Sequence, residues 1–191
     1  MNQDLLLVID FQNIYMPGQE WACPFMPQAM ENTCRIIDSG KVKEVLFTQF
    51  LAAAQPVGTW KTYDEEYRHI NTDPYLCDMA DRIKPYLSEH EGSSAYPLAV
   101  KSTYSSMKCE QVLKAAEGKD HILLSGVVAE CCIVATMLAA MDLGVHVIYL
   151  TDCVAGQSKE NEAAIRTLAE SFAPMHTLVM TADEYLAQSS P

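Results

Sequence analysis

Residues 122–150 read ILLSGVVAECCIVATMLAAMDLGVHVIYL, and the order of patterns in this stretch decides the fold. Ile122 to Ser125 and Val145 to Leu150 are short and continuously apolar rather than alternating, as strands buried on both faces of a parallel sheet are. Between them the spacing predicts a helix that begins near Cys131, carries Ile133, Met137 and Ala140 on one face, and stops at Gly144. Strand, helix and strand in that order make a βαβ unit.

The same alternation extends in both directions. Leu5 to Ile9 (LLLVI) is a third buried strand, and Val45 to Thr48, Leu98 to Val100 and Thr177 to Met180 are weaker strand candidates. A helix is predicted after Pro27, with Met30, Cys34 and Ile37 on one face and Gly40 just past its end. Another is capped by Ser158 and expected to bury Ile165, Leu168 and Phe172. The exception is Leu51 to Pro97, rich in Pro, Tyr, Asp and Glu, with one helical patch around Leu76 to Leu87. Long connections of this kind in a compact domain are usually functional. The expected architecture is α/β: a three-layer, Rossmann-like single domain over residues 1–191, with a mainly parallel sheet of about six strands and helices on both faces.

Composition narrows the function. The chain has 191 residues, 49% of them hydrophobic and 20% charged, so it can build a sizeable core. A net charge of −12 gives no basic footprint for nucleic acid or an anionic membrane. No apolar run approaches the ~20 residues that span a bilayer, and Leu5 to Ile9 is too short for a secretory signal. The seven cysteines include no CxxC pair, and free thiols point to a reducing, cytoplasmic setting.

In open α/β sheets ligands bind beyond the carboxyl ends of the strands. Three groups stand at such ends here: Asp10 after LLLVI, Lys101 after LAV, and Cys132 at the helix start after ILLSG. Taken singly, Asp10 is a helix cap, Lys101 a solvated strand end and Cys132 a small buried hydrophobe. Together they supply an acid, a base and a nucleophile. A helix start also favours a thiolate, lowering a thiol from its free value of about 8.5.

These residues fall in three ordered motifs: DFQNIY at 10–15, KSTYS at 101–105 and GVVAECCIVAT at 126–136. In these the chain resembles the isochorismatase-like cysteine hydrolases, whose patterns are D-x-Q-N-D-[FY], K-x-x-[YF]-S and G-[VI]-x-x-x-x-C-[VI]-x-x-T. That family includes nicotinamidases, N-carbamoylsarcosine amidase, ureidoacrylate amidohydrolase and isochorismatase. The resemblance implies a triad of Asp10, Lys101 and Cys132. Cys132, rather than Cys131, stands six residues after Gly126 and before Ile133. It further implies an oxyanion site from the N–H groups of Val128 and Cys132, a cis peptide between Val127 and Val128, and assembly into a homo-oligomer of two or four copies.

Two departures matter. Phe50 and Ala52 stand where nicotinamidases carry metal-binding Asp and His, so neither a metal nor another cofactor is expected. Ile14 replaces the second Asp of the opening motif. Gln12, Phe50, Trp60, Tyr104 and Cys131 are candidate contacts for a small-molecule substrate, Gln12 being equally placed to hold its loop. Tyr63, Tyr67 and His69 share the long connection; the remaining histidines, His90 among them, show no metal-ligand spacing. The leading reading is a hydrolase of a small amide or ureido compound. Vinyl ether cleavage, a non-catalytic family member and a peroxide-sensing thiol pair remain as alternatives.

Overall fold

The computed structural model describes residues 3–89 and 94–188, so Met1 and His90 lie outside it. Six strands form one all-parallel sheet: β1 Leu5–Ile9, β2 Glu44–Phe50, β3 Leu98–Lys101, β4 Ile122–Gly126, β5 Val147–Val154 and β6 Thr177–Met180. Their order is β3-β2-β1-β4-β5-β6. The chain starts in the middle, runs out to one edge through β2 and β3, then returns to lay β4 on the other side of β1. That reversal opens a crevice at the carboxyl ends of β1 and β4, where open α/β sheets place ligands.

Every residue of β1 is buried because the sheet is covered on both faces. Leu6 and Val8 point to the layer built by α1 Met26–Asp38, with Met26, Met30, Cys34 and Ile37 inward, and by α8 Ala182–Ala187 through Tyr185. Leu5, Leu7 and Ile9 point to the opposite layer of α5 Glu110–Ala116, α6 Val134–Asp142 and α7 Lys159–Ser171. The predicted three-layer α/β architecture is the observed one.

Local expectations fared unevenly. The helix after Gly126 does not begin as an α-helix at Cys131; a π-helical turn spans Ala129–Ile133 and α6 follows from Val134. Ile133, Met137 and Ala140 are buried as expected. In α7, Ser158 caps the start by accepting the Asn161 N–H. Ile165, Leu168 and Phe172 are only partly covered there, and Ala169 is the fully buried residue, because α7 lies over β5 and β6 at the side of the sheet. The largest revision concerns Leu51 to Pro97. The helical patch around Leu76 to Leu87 is not continuous: α4 Pro74–Cys77 ends early and a 3₁₀ turn covers Lys84–Leu87. Two short helices absent from the sequence reading, α2 Trp60–Glu66 and α3 Arg68–Asn71, precede it. They are too short for a helical period to stand out.

Candidate active site

Asp10 leaves β1 in a left-handed conformation, φ +54°, a region Asp tolerates better than most residues. This turns its carboxylate back under the carboxyl edge of the sheet, where it is fully buried. Oδ1 accepts a hydrogen bond from Thr48 Oγ1 at 2.7 Å, and Oδ2 lies 2.6 Å from Lys101 Nζ. Lys101 is the last residue of β3, not the first beyond it, and it too is buried. Its ammonium reaches Cys132 Sγ at 3.3 Å and the Thr103 carbonyl at 3.2 Å. With Asp10 these contacts occupy all three of its donors. The register pairs Ile9 with Gly126 and with Thr48, while β2 and β3 run two residues further to the Phe50–Lys101 pair, which carries Lys101 out to the level of the residues that follow β1.

Gly126 makes this convergence possible. Its φ is +121°, and a Cβ there would fall 2.0 Å from the Ile9 carbonyl oxygen. Beyond it the Val127–Val128 peptide is cis. The turn carrying Cys132 is then braced from below: Thr136 Oγ1 donates to the Cys132 carbonyl at 2.7 Å and accepts the Ser106 N–H at 2.9 Å.

The electrostatics correct one expectation. Burial first, and the Asp10 charge second, push the Cys132 thiol well up, and the nearby Lys101 only partly offsets them. Burial thus favours the neutral thiol at Cys132 against the pull of the helix start, and Lys101 Nζ donates to its sulfur. For Lys101, burial works to lower its pKa. The Asp10 carboxylate leads the opposing influences, with contact to Cys132 adding to it, and the net shift is upward, so the ammonium stays charged.

A cavity of about 190 Å³ opens onto Cys132. Tyr15, Trp21, Tyr63, Tyr67 and Tyr104 form its aromatic side; Val128, Cys131 and Gln157 complete it. Tyr104, Cys131 and Val128 are thus where the sequence reading put them. Trp60 stands behind the wall, its ring 5.0 Å from Tyr104 and 5.1 Å from Tyr63. Phe50 is buried beneath the triad, 5.3 Å from Lys101 Nζ, and does not face the cavity. Gln12 holds its loop: its amide donates to the Phe50 and Cys77 carbonyls and accepts the Phe50 N–H. His69 pairs with Glu20 on the surface. The sequence reading missed Thr48 and Trp21, and it gave no role to Tyr15 or Gln157. Among the described residues no group of three or more His, Cys, Asp or Glu side chains is arranged to hold a metal. A larger hollow of about 570 Å³, beside Asp4, His121 and His146, lies at the opposite end of the strands, away from the nucleophile.

A family model for the isochorismatase domain matches residues 4–180. The chain belongs to the isochorismatase family. No curated protein matches its sequence significantly. Among solved structures, an isochorismatase-like hydrolase from Alkaliphilus metalliredigens superimposes with a TM-score of 0.73 at 19% identity, over 96% of this chain and 97% of that one. N-carbamoylsarcosine amidase from Thermoplasma acidophilum gives 0.68 at 20% identity, over 96% and 98%. Nicotinamidase from Bacillus subtilis gives 0.69 at 18% identity, over 93% and 99%. At such identities the likeness establishes the shared isochorismatase-type fold, while the side chains of the site stand on their own geometry.

Proposed function

We propose that this isochorismatase-family protein is a cysteine-dependent amidohydrolase that cleaves a small amide or ureido compound through a thioester. The observation that carries the reading is the buried contact of Asp10, Lys101 and Cys132 beside a cavity. Asp10 takes the proton from the Cys132 thiol as Sγ attacks the substrate carbonyl carbon, and the carbonyl π electrons move onto oxygen. The N–H groups of Val128 and Cys132 are the donors assigned to that oxyanion. Collapse re-forms the C=O bond and breaks the C–N bond, with Asp10 returning its proton to the leaving nitrogen. Water, giving a proton to Asp10, then attacks the thioester carbon; the C–S bond breaks, Asp10 returns the proton to Sγ, and the acid departs. Lys101 keeps its charge throughout and offsets the negative charge that passes between Asp10 and Cys132.

The names of two structural neighbours, an amidase and a nicotinamidase, agree with C–N bond hydrolysis. All seven cysteines are free, which suits a reducing compartment, and we assign the activity to the cytoplasm. Among the described residues no helix is long and apolar enough to cross a membrane. The test is a screen of small amides and ureido compounds for ammonia release, with Cys132→Ala as the blank. Turnover by the native protein and none by the variant is the expected result. Equal turnover by both, or none by the native protein across the screen, defeats the proposal.

A further inference from the structure

The cavity beside Cys132 is unusual in what surrounds it. Trp21 lies 6.0 Å from Tyr15, 5.9 Å from Tyr63 and 5.1 Å from Tyr67, with interplanar angles running from 29° to 77°. The rings that line the space are therefore tilted against one another instead of forming one stack. No Arg, Lys or His lines it, and the donors of the nearby Lys101 are already engaged by Asp10, Cys132 and Thr103.

Behind the Gln157 side stand carboxylates without counter-ions. Glu130 Oε1 accepts the Gln157 N–H and the Asn161 amide, while Oε2 is buried with no hydrogen-bond partner among the described residues. Glu162 accepts the Gly156 N–H, and burial, then Glu130, raise its pKa. Neither Glu130 nor Glu162 forms an ion pair among the described residues; the charge of Lys159 acts weakly on Glu162 from further off. An anionic substrate would meet aromatic rings and negative charge with no free cation to receive it. A cationic one gains from both, since an ammonium is attracted to aromatic faces most strongly where water is excluded. A cavity of about 190 Å³ admits only a small ligand.

We infer that this cavity selects a small amide bearing a quaternary or methylated ammonium group, with the cation among Trp21, Tyr63 and Tyr67 and the amide carbonyl turned toward Cys132. The inference rests on the amidohydrolase reading for its reactive group and on the cavity walls for its charge.

The test compares three amides of similar size: trimethylammonio-acetamide, its neutral tert-butyl isostere and the carboxylate malonamate. Ammonia release gives kcat/KM for each, and calorimetry on Cys132→Ala gives binding without turnover. The cation is expected to lead the neutral isostere by roughly tenfold or more in both readouts, with the carboxylate last. Tyr67→Phe, which keeps the ring, should preserve that ratio, and Tyr67→Leu should narrow it severalfold. Neutral amide equal to or better than the cation in binding overturns the inference and leaves the amidohydrolase reading standing. Preferential binding of the cation by Cys132→Ala, with no amide hydrolysed by the native protein, does the reverse. Absence of binding by either amide also overturns it.

Discussion

At the scale of single residues, Asp10 concentrates the chemistry, because its buried carboxylate serves Thr48, Lys101 and the Cys132 thiol together. Asn is tolerated in the left-handed region almost as well as Asp, so Asp10→Asn should fold while losing the proton acceptor. The expected loss in kcat is about 10² to 10⁴, with Lys101→Ala comparably damaged. The double variant should be little worse than either, since groups acting as a unit are non-additive. Steady-state kinetics with parallel thermal melts check this, and near-full activity in Asp10→Asn would remove Asp10 from the mechanism. Lys101 also sets a pH dependence. Its folded pKa is raised, so its contribution to stability is fully present below the unfolded lysine value of about 10.4 and disappears as pH rises through the folded one. Melts from about pH 8 to about pH 11 should show an alkaline decline in the native protein that Lys101→Met lacks; equal declines would point to other groups. The triad was legible in the sequence because each member adjoins an apolar run whose strand end can be counted. Thr48 was not, because its role depends on β2 lying beside β1, and Trp21 was not, because nothing local says where its loop goes.

At the scale of elements, the β1–β4 pair is the hinge of the site, since Asp10 leaves one strand and the Cys132 turn leaves the other. Gly126 sits at their closest approach, combining positive φ with a Cβ position 2.0 Å from the Ile9 oxygen. Gly126→Ala must therefore part the two central strands, and a loss of roughly 3 kcal/mol or more is expected from strain and overpacking together. Gly144 makes the matched control. Its φ is +77° but its Cβ direction is open, so Gly144→Ala should cost only about 1 kcal/mol of backbone strain. Denaturant midpoints at unchanged slope measure both, and equal costs would show that the strand contact is not what demands glycine. β1, β4 and β5 up to Leu150 were plain in the sequence because a parallel strand buried on both faces is a continuous apolar run, whereas β2, β3 and β6, which carry exposed or half-buried positions, gave weaker signals. The connection from Leu51 to Pro97 was opaque for the opposite reason. Its short helices owe their existence to caps and docking, as where Asp73 accepts the Tyr75 and Leu76 N–H groups, and not to a periodic apolar face.

At the scale of the whole molecule, a net charge of −12 and two exposed leucines at α6 pull in opposite directions. Ile133, Met137 and Ala140 are buried in the core and Val134 and Met141 pack partly against it, which leaves Leu138 as the outward apolar residue of α6. Leu138 is 39% exposed and Leu143, just past the helix, 59%. We propose that a second copy of the chain covers Leu138 and Leu143, in the homo-oligomer that the family resemblance implies. Self-repulsion between acidic copies weakens such an assembly at low ionic strength, while salt screens it over about 10 Å at 0.1 M. The expected outcome in light scattering is a homo-oligomer whose dissociation constant falls as salt rises. Leu138→Glu should shift the population toward monomer without lowering the melting temperature of the isolated chain, because the residue contributes little to the internal core. A native protein that stays monomeric at micromolar concentration in moderate salt would mean that Leu138 and Leu143 do not form an interface between copies.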